Sequence, residues 1–177
     1  MGRSRRTGDG VTDVDVAPIE TARLQLVPNT RDEALAQIEK MDPHTRKEVS
    51  PEWLARVTAT TAVDPWVLGF TLFDRSTGGA IGTCGFKGPP DADGMVEIAY
   101  GVTPGQQNRG YATEAAAALV TFAFSSGRVR IVRAHTIAGE NASTRVLAKC
   151  GFRSAGQVVD PEDGLVWRWE TLQTDTP

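Results

Sequence analysis

The stretch Gln107-Asn108-Arg109-Gly110-Tyr111-Ala112 constrains this chain more than any other. Before it runs Met95 to Val102, rich in the apolar and β-branched residues of a strand. After it runs Thr113 to Val120, mostly alanine and therefore helix-forming. The order is strand, polar glycine-bearing loop, helix start. The first N–H groups of a helix lack intrahelical partners, and the macrodipole favours negative charge there. A loop leading into such a helix can turn several main-chain N–H groups toward one point. That makes a candidate anion site, and phosphate or pyrophosphate is the natural occupant. Gly110 allows close approach of the backbone, and Ala112 is the next smallest residue. The same six residues also suit an ordinary strand-to-helix connection, so the rest of the chain must decide.

The flanking pattern is that of a mixed α/β (α+β) domain. Residues 20–28 read as a first strand, with Leu24 and Leu26 alternating against Arg23 and Gln25. Thr30 and Glu33 form a capping box for a helix whose apolar face is Ala34, Leu35, Ile38 and Met41. Asp42-Pro43-His44 is expected to end it. Ser50-Pro51-Glu52 opens a second helix. Strands are expected over 66–73, 80–86 and 95–102, as an antiparallel meander. A helix follows the central loop, then a strand over 129–137. That strand, reached through a helix crossover, should lie parallel to 95–102. A helix over 141–149 and strands over 152–159 and 165–172 complete seven strands and about four helices. Residues 1–18 read as a disordered polar tail and 19–173 as one domain, expected in the cytoplasm.

Bulk properties narrow the partners. A net charge of −3 argues against nucleic acid. No apolar run reaches membrane-spanning length. Cys84 and Cys150 read as buried free thiols, and two cysteines with two scattered histidines form no metal-ligand spacing. A nucleotide-binding α/β protein is disfavoured, because the loop lacks the lysine of a GxxxxGK motif and the further glycines of a dinucleotide fingerprint.

Four stretches, in this order, resemble the GNAT superfamily of N-acetyltransferases. The likeness is greatest to the branch that acetylates ribosomal-protein N-termini (RimJ/RimL-like). They are Glu20 to Leu24, Val96 to Tyr100, Gln107 to Ala112, and Asn141 to Phe152, and together they cover about residues 20–172. The resemblance implies a sheet splayed between its fourth and fifth strands, with the pantetheine arm of acetyl-CoA in the gap. It implies cofactor contacts at Tyr100, Gly101 and Val102, at Gln107, Asn108, Arg109, Gly110, Tyr111, Ala112 and Thr113, and at Asn141 and Ser143. Homodimers are common in the family, so a second copy is one expected partner, beside acetyl-CoA and an amine. Two departures stand out. The place of the family's general-acid tyrosine is Leu147, and the place of its usual asparagine is Glu140, with Asn141 one position further on.

Amide formation needs a neutral amine. At pH 7 that costs about 4 to 5 kcal/mol for a lysine and about 1.4 for an α-amine, so a base is useful. Glu97, on the fourth strand, is the first candidate, and by alternation it shares a face with Met95 and Ala99. His135 is the second. Ser143 could touch the cofactor or protonate the leaving thiolate. Each also has a structural reading, as a hydrogen-bonded strand residue or a helix cap. Asp160, Glu162 and Asp163 could hold an acceptor ammonium or simply form a solvated turn. Trp167 and Trp169 share a face and read as core or subunit contact. Glu114 reads as a first-turn dipole partner. The activity expected is acetyl transfer to a primary amine in a ternary complex, without metal. The alternative is an acyl-CoA-binding sensor without turnover.

Overall fold

A computed structural model describes residues 16–161 and 163–174. Of the N-terminal tail, residues 1–15 lie outside the described residues, as does Glu162. The strands are β1 (Ile19–Glu20), β2 (Leu24–Pro28), β3 (Phe70–Asp74), β4 (Ala80–Phe86), β5 (Met95–Val102), β6 (Ile131–Ile137), β7 (Arg153–Asp160) and β8 (Gly164–Leu172). The helices are α1 (Arg31–Lys40), α2 (Pro43–Lys47), α3 (Pro51–Ala59), α4 (Pro65–Leu68), α5 (Tyr111–Ser125) and α6 (Ala142–Lys149). All eight strands form one mixed sheet in the order β1-β2-β3-β4-β5-β6-β8-β7. Every neighbouring pair is antiparallel except β5 with β6.

The expected fold class holds, and three local expectations change. Residues 20–28 are not one strand: Thr21, Ala22 and Arg23 turn the chain so that Ile19 and Glu20 pair back on Leu26 and Gln25. Helix α1 ends before Asp42-Pro43-His44 as expected, but that stretch also starts a helix, and so does Asp64-Pro65. Asp42 caps the N–H groups of His44 and Thr45 with Pro43 in the first turn, and Asp64 caps Trp66 behind Pro65. An N-cap acid followed by proline is a start signal, because the missing N–H would be unpaired there anyway. The 66–73 segment is therefore helix first and strand second.

Two hydrophobic clusters hold the fold. The larger one packs Val96 and Ile98 of β5 and Val132 and Ala134 of β6 against Ala115, Ala116 and Leu119 of α5. Leu147 of α6 is fully buried in the same cluster. The smaller one joins Ala34 of α1, Val57 of α3 and Val67 and Leu68 of α4, with Trp53 against them. It fastens a helical cap near the sheet, and the Trp53 indole N–H donates to the Val67 carbonyl at 3.0 Å. Gly69 ends α4 at φ 65, and a Cβ there would stand 2.8 Å from the Cys84 carbonyl oxygen, so only glycine lets the cap approach β4 this closely.

Candidate functional site

The parallel pairing of β5 and β6 stops early. Its registered pairs are Met95 with Ile131, Val96 with Val132 and Glu97 with Arg133. Beyond Glu97, β5 continues to Val102 paired only with β4, and β6 continues to Ile137 paired only with β8. The two strands therefore part after the third pair. The ladder shows which groups face the gap. Lys87 N–H donates to the Glu97 carbonyl and Thr103 N–H to the Ile81 carbonyl, so the odd-numbered residues of β5 bond to β4. Tyr100 and Val102 thus turn their main-chain groups toward β6, where no strand pairs with them. Gly101 does not: it is registered with Thr83 and its polar groups point to β4. The Val102 carbonyl is taken by the Gln107 amide at 3.0 Å.

At the open end of the gap lies the central loop. A 3₁₀ turn, Pro104–Gln106, leads into it, Asn108 adopts φ 60, and Gly110 is the N-cap of α5 at φ 81. The first helical bond runs from Glu114 N–H to the Gly110 carbonyl. Among the described residues, no acceptor takes the N–H groups of Asn108, Arg109, Gly110, Tyr111, Ala112 or Thr113. Six consecutive free donors at the start of a 15-residue helix make a candidate anion cradle. Side chains brace it. The Tyr111 hydroxyl donates to Asp74 Oδ2 at 2.8 Å, and Arg23 donates to the Arg109 carbonyl at 2.8 Å while its guanidinium lies 4.7 Å from the centre of the Tyr111 ring. Glu114 binds Arg23 at 2.8 Å and also takes the Thr21 hydroxyl and the Arg23 N–H. Burial would raise the Glu114 carboxyl, but those bonds outweigh it and hold its pKa below the usual range. Hydrogen bonds from Ser76 and Tyr111 hold Asp74 down at about 2.

Glu97 sits at the fork, and β5 runs without a bulge through 98–102 in its pairing with β4, so simple alternation places its side chain on the face opposite Val96 and Ile98. Its Oε1 meets Lys87 Nζ at 2.8 Å and His135 Nδ1 at 3.0 Å. The two base candidates are thus in direct contact. Arg168 Nε approaches His135 Nε2 at 3.5 Å, which assigns the ring proton to Nδ1, donating to Glu97. Burial alone would lower Lys87, yet Glu97, with Asp163 and Asp160 further off, raises it above its ordinary value, so it remains a cation. Glu97, Ala99 and Tyr100 line a cavity of about 890 Å³ that extends under Trp53 and Arg56 of α3 to Asp160 and Asp163 of the β7–β8 turn.

Asn141 caps α6: its Oδ1 accepts from Thr144 N–H at 3.0 Å, and its amide hydrogens go to the carbonyls of Ile137 and Gly139. Its side chain is thus taken up by the fold. Ser143, in the first turn, stands beside the Tyr100 hydroxyl, which is buried and among the described residues has no well-formed hydrogen bond. Leaving a buried hydroxyl unpaired costs about 1–3 kcal/mol and calls for a reason. Trp169 donates to the Thr136 hydroxyl at 3.2 Å, whereas the buried Trp167 indole N–H has no partner among the described residues. Burial pushes both the Cys84 and Cys150 thiols up, so neither is a ready nucleophile. Sequence reasoning missed Lys87 and Arg168. Register was the available signal: Lys87 lies opposite Glu97 in the β4–β5 ladder, and Arg168 is registered with His135. Among the described residues no group of acids, histidines and cysteines could hold a metal, and no helix is long and apolar enough to cross a membrane.

Known proteins share this fold. A family model described as an acetyltransferase (GNAT) domain matches residues 16–153. An uncharacterized N-acetyltransferase of Bacillus subtilis (strain 168), YjdG, is 30% identical over 101 residues, 57% of this chain and 58% of that protein. The chain spans about half the length of the curated relatives it matches. Among solved structures, a ribosomal-protein-S5-alanine acetyltransferase from Vibrio fischeri superposes with a TM-score of 0.68 at 16% identity, covering 92% of this chain and 100% of that one. RimL, a ribosomal L7/L12 alpha-N-protein acetyltransferase solved with coenzyme A, gives 0.64 at 16% identity over 86% and 95% of the two chains.

Proposed function

This chain belongs to the GNAT acetyltransferase family, and from that membership we propose that it moves the acetyl group of acetyl-CoA to a primary amine by direct transfer in a ternary complex. The observation that carries the reading is the fork after Glu97. It leaves strand-type main-chain donors and acceptors unpaired on one side and the anion cradle of α5 at its open end. Those two features fit the two chemical halves of coenzyme A, an amide-bearing arm and a diphosphate. The cradle from Asn108 to Thr113 would hold the diphosphate, with Gln107 fixing the loop through Val102. Tyr100 and Val102 would hold the arm, and Asn141 serves indirectly by shaping the start of α6.

Acetyl-CoA supplies the activated acyl group as a thioester. The protein's work is to hold the acceptor, to take its proton and to steady the charge that develops. Glu97 lines the cavity, and among the described residues none bonds to its Oε2, so it is the base, directly or through a water. His135 and Lys87 hold its other oxygen and fix its orientation, which makes them positioning residues. Cys84 is buried as expected but Cys150 only half-buried, and burial pushes both thiols up, so an acetyl-cysteine route is disfavoured. The acceptor is a protein N-terminal α-amine or a small-molecule amine. The structural neighbours named for ribosomal-protein acetylation support the first, and the size of the cavity admits both.

The test is calorimetric titration with coenzyme A, then thiol release over a panel of amines with Glu97→Gln as control. Saturable binding with Glu97-dependent thiol release is expected. Binding without turnover on any amine would favour an acyl-CoA sensor, and no binding would end the reading.

A further inference from the structure

Tyr100 occupies an unusual position. It lies on β5 three residues past the fork, its main-chain groups face the gap, and its residue lines the cavity. Yet its ring packs with the large core cluster, and the groups that influence its hydroxyl, Ser143 and Cys150, belong to α6 and its C-cap. The side chain therefore reaches from one strand of the splay to the helix that follows the other. Its hydroxyl is buried without a well-formed bond, although hydroxyls are normally paired when buried. The α6 residues that could satisfy a polar ligand here are few. Thr144 is engaged with Asn141 in the capping box, and Leu147 is fully buried and apolar. Ser143 is half-buried at the helix start.

We infer that the Tyr100 hydroxyl, oriented by Ser143, donates a hydrogen bond to the coenzyme A sulfur as the carbon–sulfur bond breaks. This rests on the acetyltransferase reading above. In the step, the amine nitrogen bonds to the acyl carbon and the amine's proton passes toward Glu97. The carbon–sulfur bond breaks with its electron pair staying on sulfur. Tyr100 keeps its own proton throughout and shares it with the thiolate. Burial, helped by the nearby Cys150 and opposed by Ser143, pushes the phenol up to about 12, so it remains an O–H donor at any working pH. A donor aimed at charge that appears only as the bond breaks lowers the barrier without tightening ground-state binding.

Tyr100→Phe keeps the ring and removes the hydroxyl, and two measurements on the full chain test the idea. The first is calorimetry with coenzyme A, on wild type and variant. The second is the ultraviolet absorbance of the thiolate, followed against pH for coenzyme A bound to each. The expected result is equal affinity well below the thiol's ionisation and a midpoint about one pH unit higher in the variant, since a lost bond to a charged form raises its pKa by that order. Turnover should fall roughly tenfold or more at unchanged KM for acetyl-CoA. Ser143→Ala should shift the midpoint in the same direction by less. If both proteins bind coenzyme A and the midpoints coincide, this inference is overturned and the acetyltransferase reading stands. If wild type binds no coenzyme A, both fall.

Discussion

Glu97 shows how much one side chain depends on its neighbours. One oxygen is held by Lys87, just past β4, and by His135 of β6, and the residue lines the cavity. Replacing Glu97 by Gln keeps the shape and removes the proposed base, so turnover should fall by about 10²–10⁴ while calorimetric affinity for coenzyme A is unchanged. An equal loss of affinity would assign Glu97 to the fold instead. Tyr111 tests the cradle's brace in the same way. Bonds from Ser76 and Tyr111 hold the Asp74 carboxyl down at about 2 in the folded protein, against an ordinary value of 3.8. A carboxyl depressed on folding stabilises above its unfolded pKa, and that stability is lost as pH falls toward the folded value. Tyr111→Phe should therefore melt a few degrees lower than wild type at neutral pH. The deficit should shrink between about pH 4 and 2 as Asp74 is protonated in both proteins. A deficit independent of pH across that window would mean that packing alone is affected.

Among elements, the loop and helix from 107 to 125 were legible because their signal is local. A strand pattern, a polar loop with Gly110 and an alanine-rich run state the geometry without reference to the rest of the chain. The Thr30 and Glu33 capping box was equally plain and is present with both reciprocal bonds. The β1–β2 turn was not legible, since alternation of Leu24 and Leu26 extends smoothly through Thr21 in sequence while the turn is fixed by Glu114, more than ninety residues away. Lys87 and Arg168 were hidden for a related reason: a strand pattern gives the face of a residue, and only register gives its partner. The local signal at Gly110 carries its own prediction. A Cβ on Gly110 would meet Arg23 at 3.1 Å, and φ 81 costs a non-glycine residue about 1–2 kcal/mol. Gly110→Ala should lower the melting temperature by a few degrees and weaken coenzyme A binding about tenfold or more, because the cradle's donors no longer converge. Calorimetry would show it, and unchanged affinity would separate the cradle from the ligand.

At the scale of the molecule, the chain sets two faces of one sheet to different tasks. On one, α5 and α6 pack over the core beside the splay. On the other, the helical cap held by the smaller cluster roofs the large cavity. Glu97 lies where the two tasks meet, so the cavity is where an acceptor would wait. Among the described residues its lining carries five carboxylates, with Glu97, Asp160 and Asp163 among them, against the two cations Arg56 and Lys87. A concave surface with an excess of one sign focuses potential and concentrates the opposite charge. An acceptor with a second positive charge beyond its reacting amine should therefore bind better than a singly charged analogue of the same length. Screening gives the sign of the test. The Debye length shortens from roughly 10 Å at 0.1 M salt to about 3 Å at 1 M, so distant carboxylates fall silent while contact bonds persist. With acetyl-CoA held saturating at each salt concentration, the acceptor KM should rise with salt more steeply for the dication than for the monocation, at little change in kcat. Parallel salt dependence for the two would mean that the carboxylates serve Lys87 and Arg56 alone, and that shape rather than charge selects the amine.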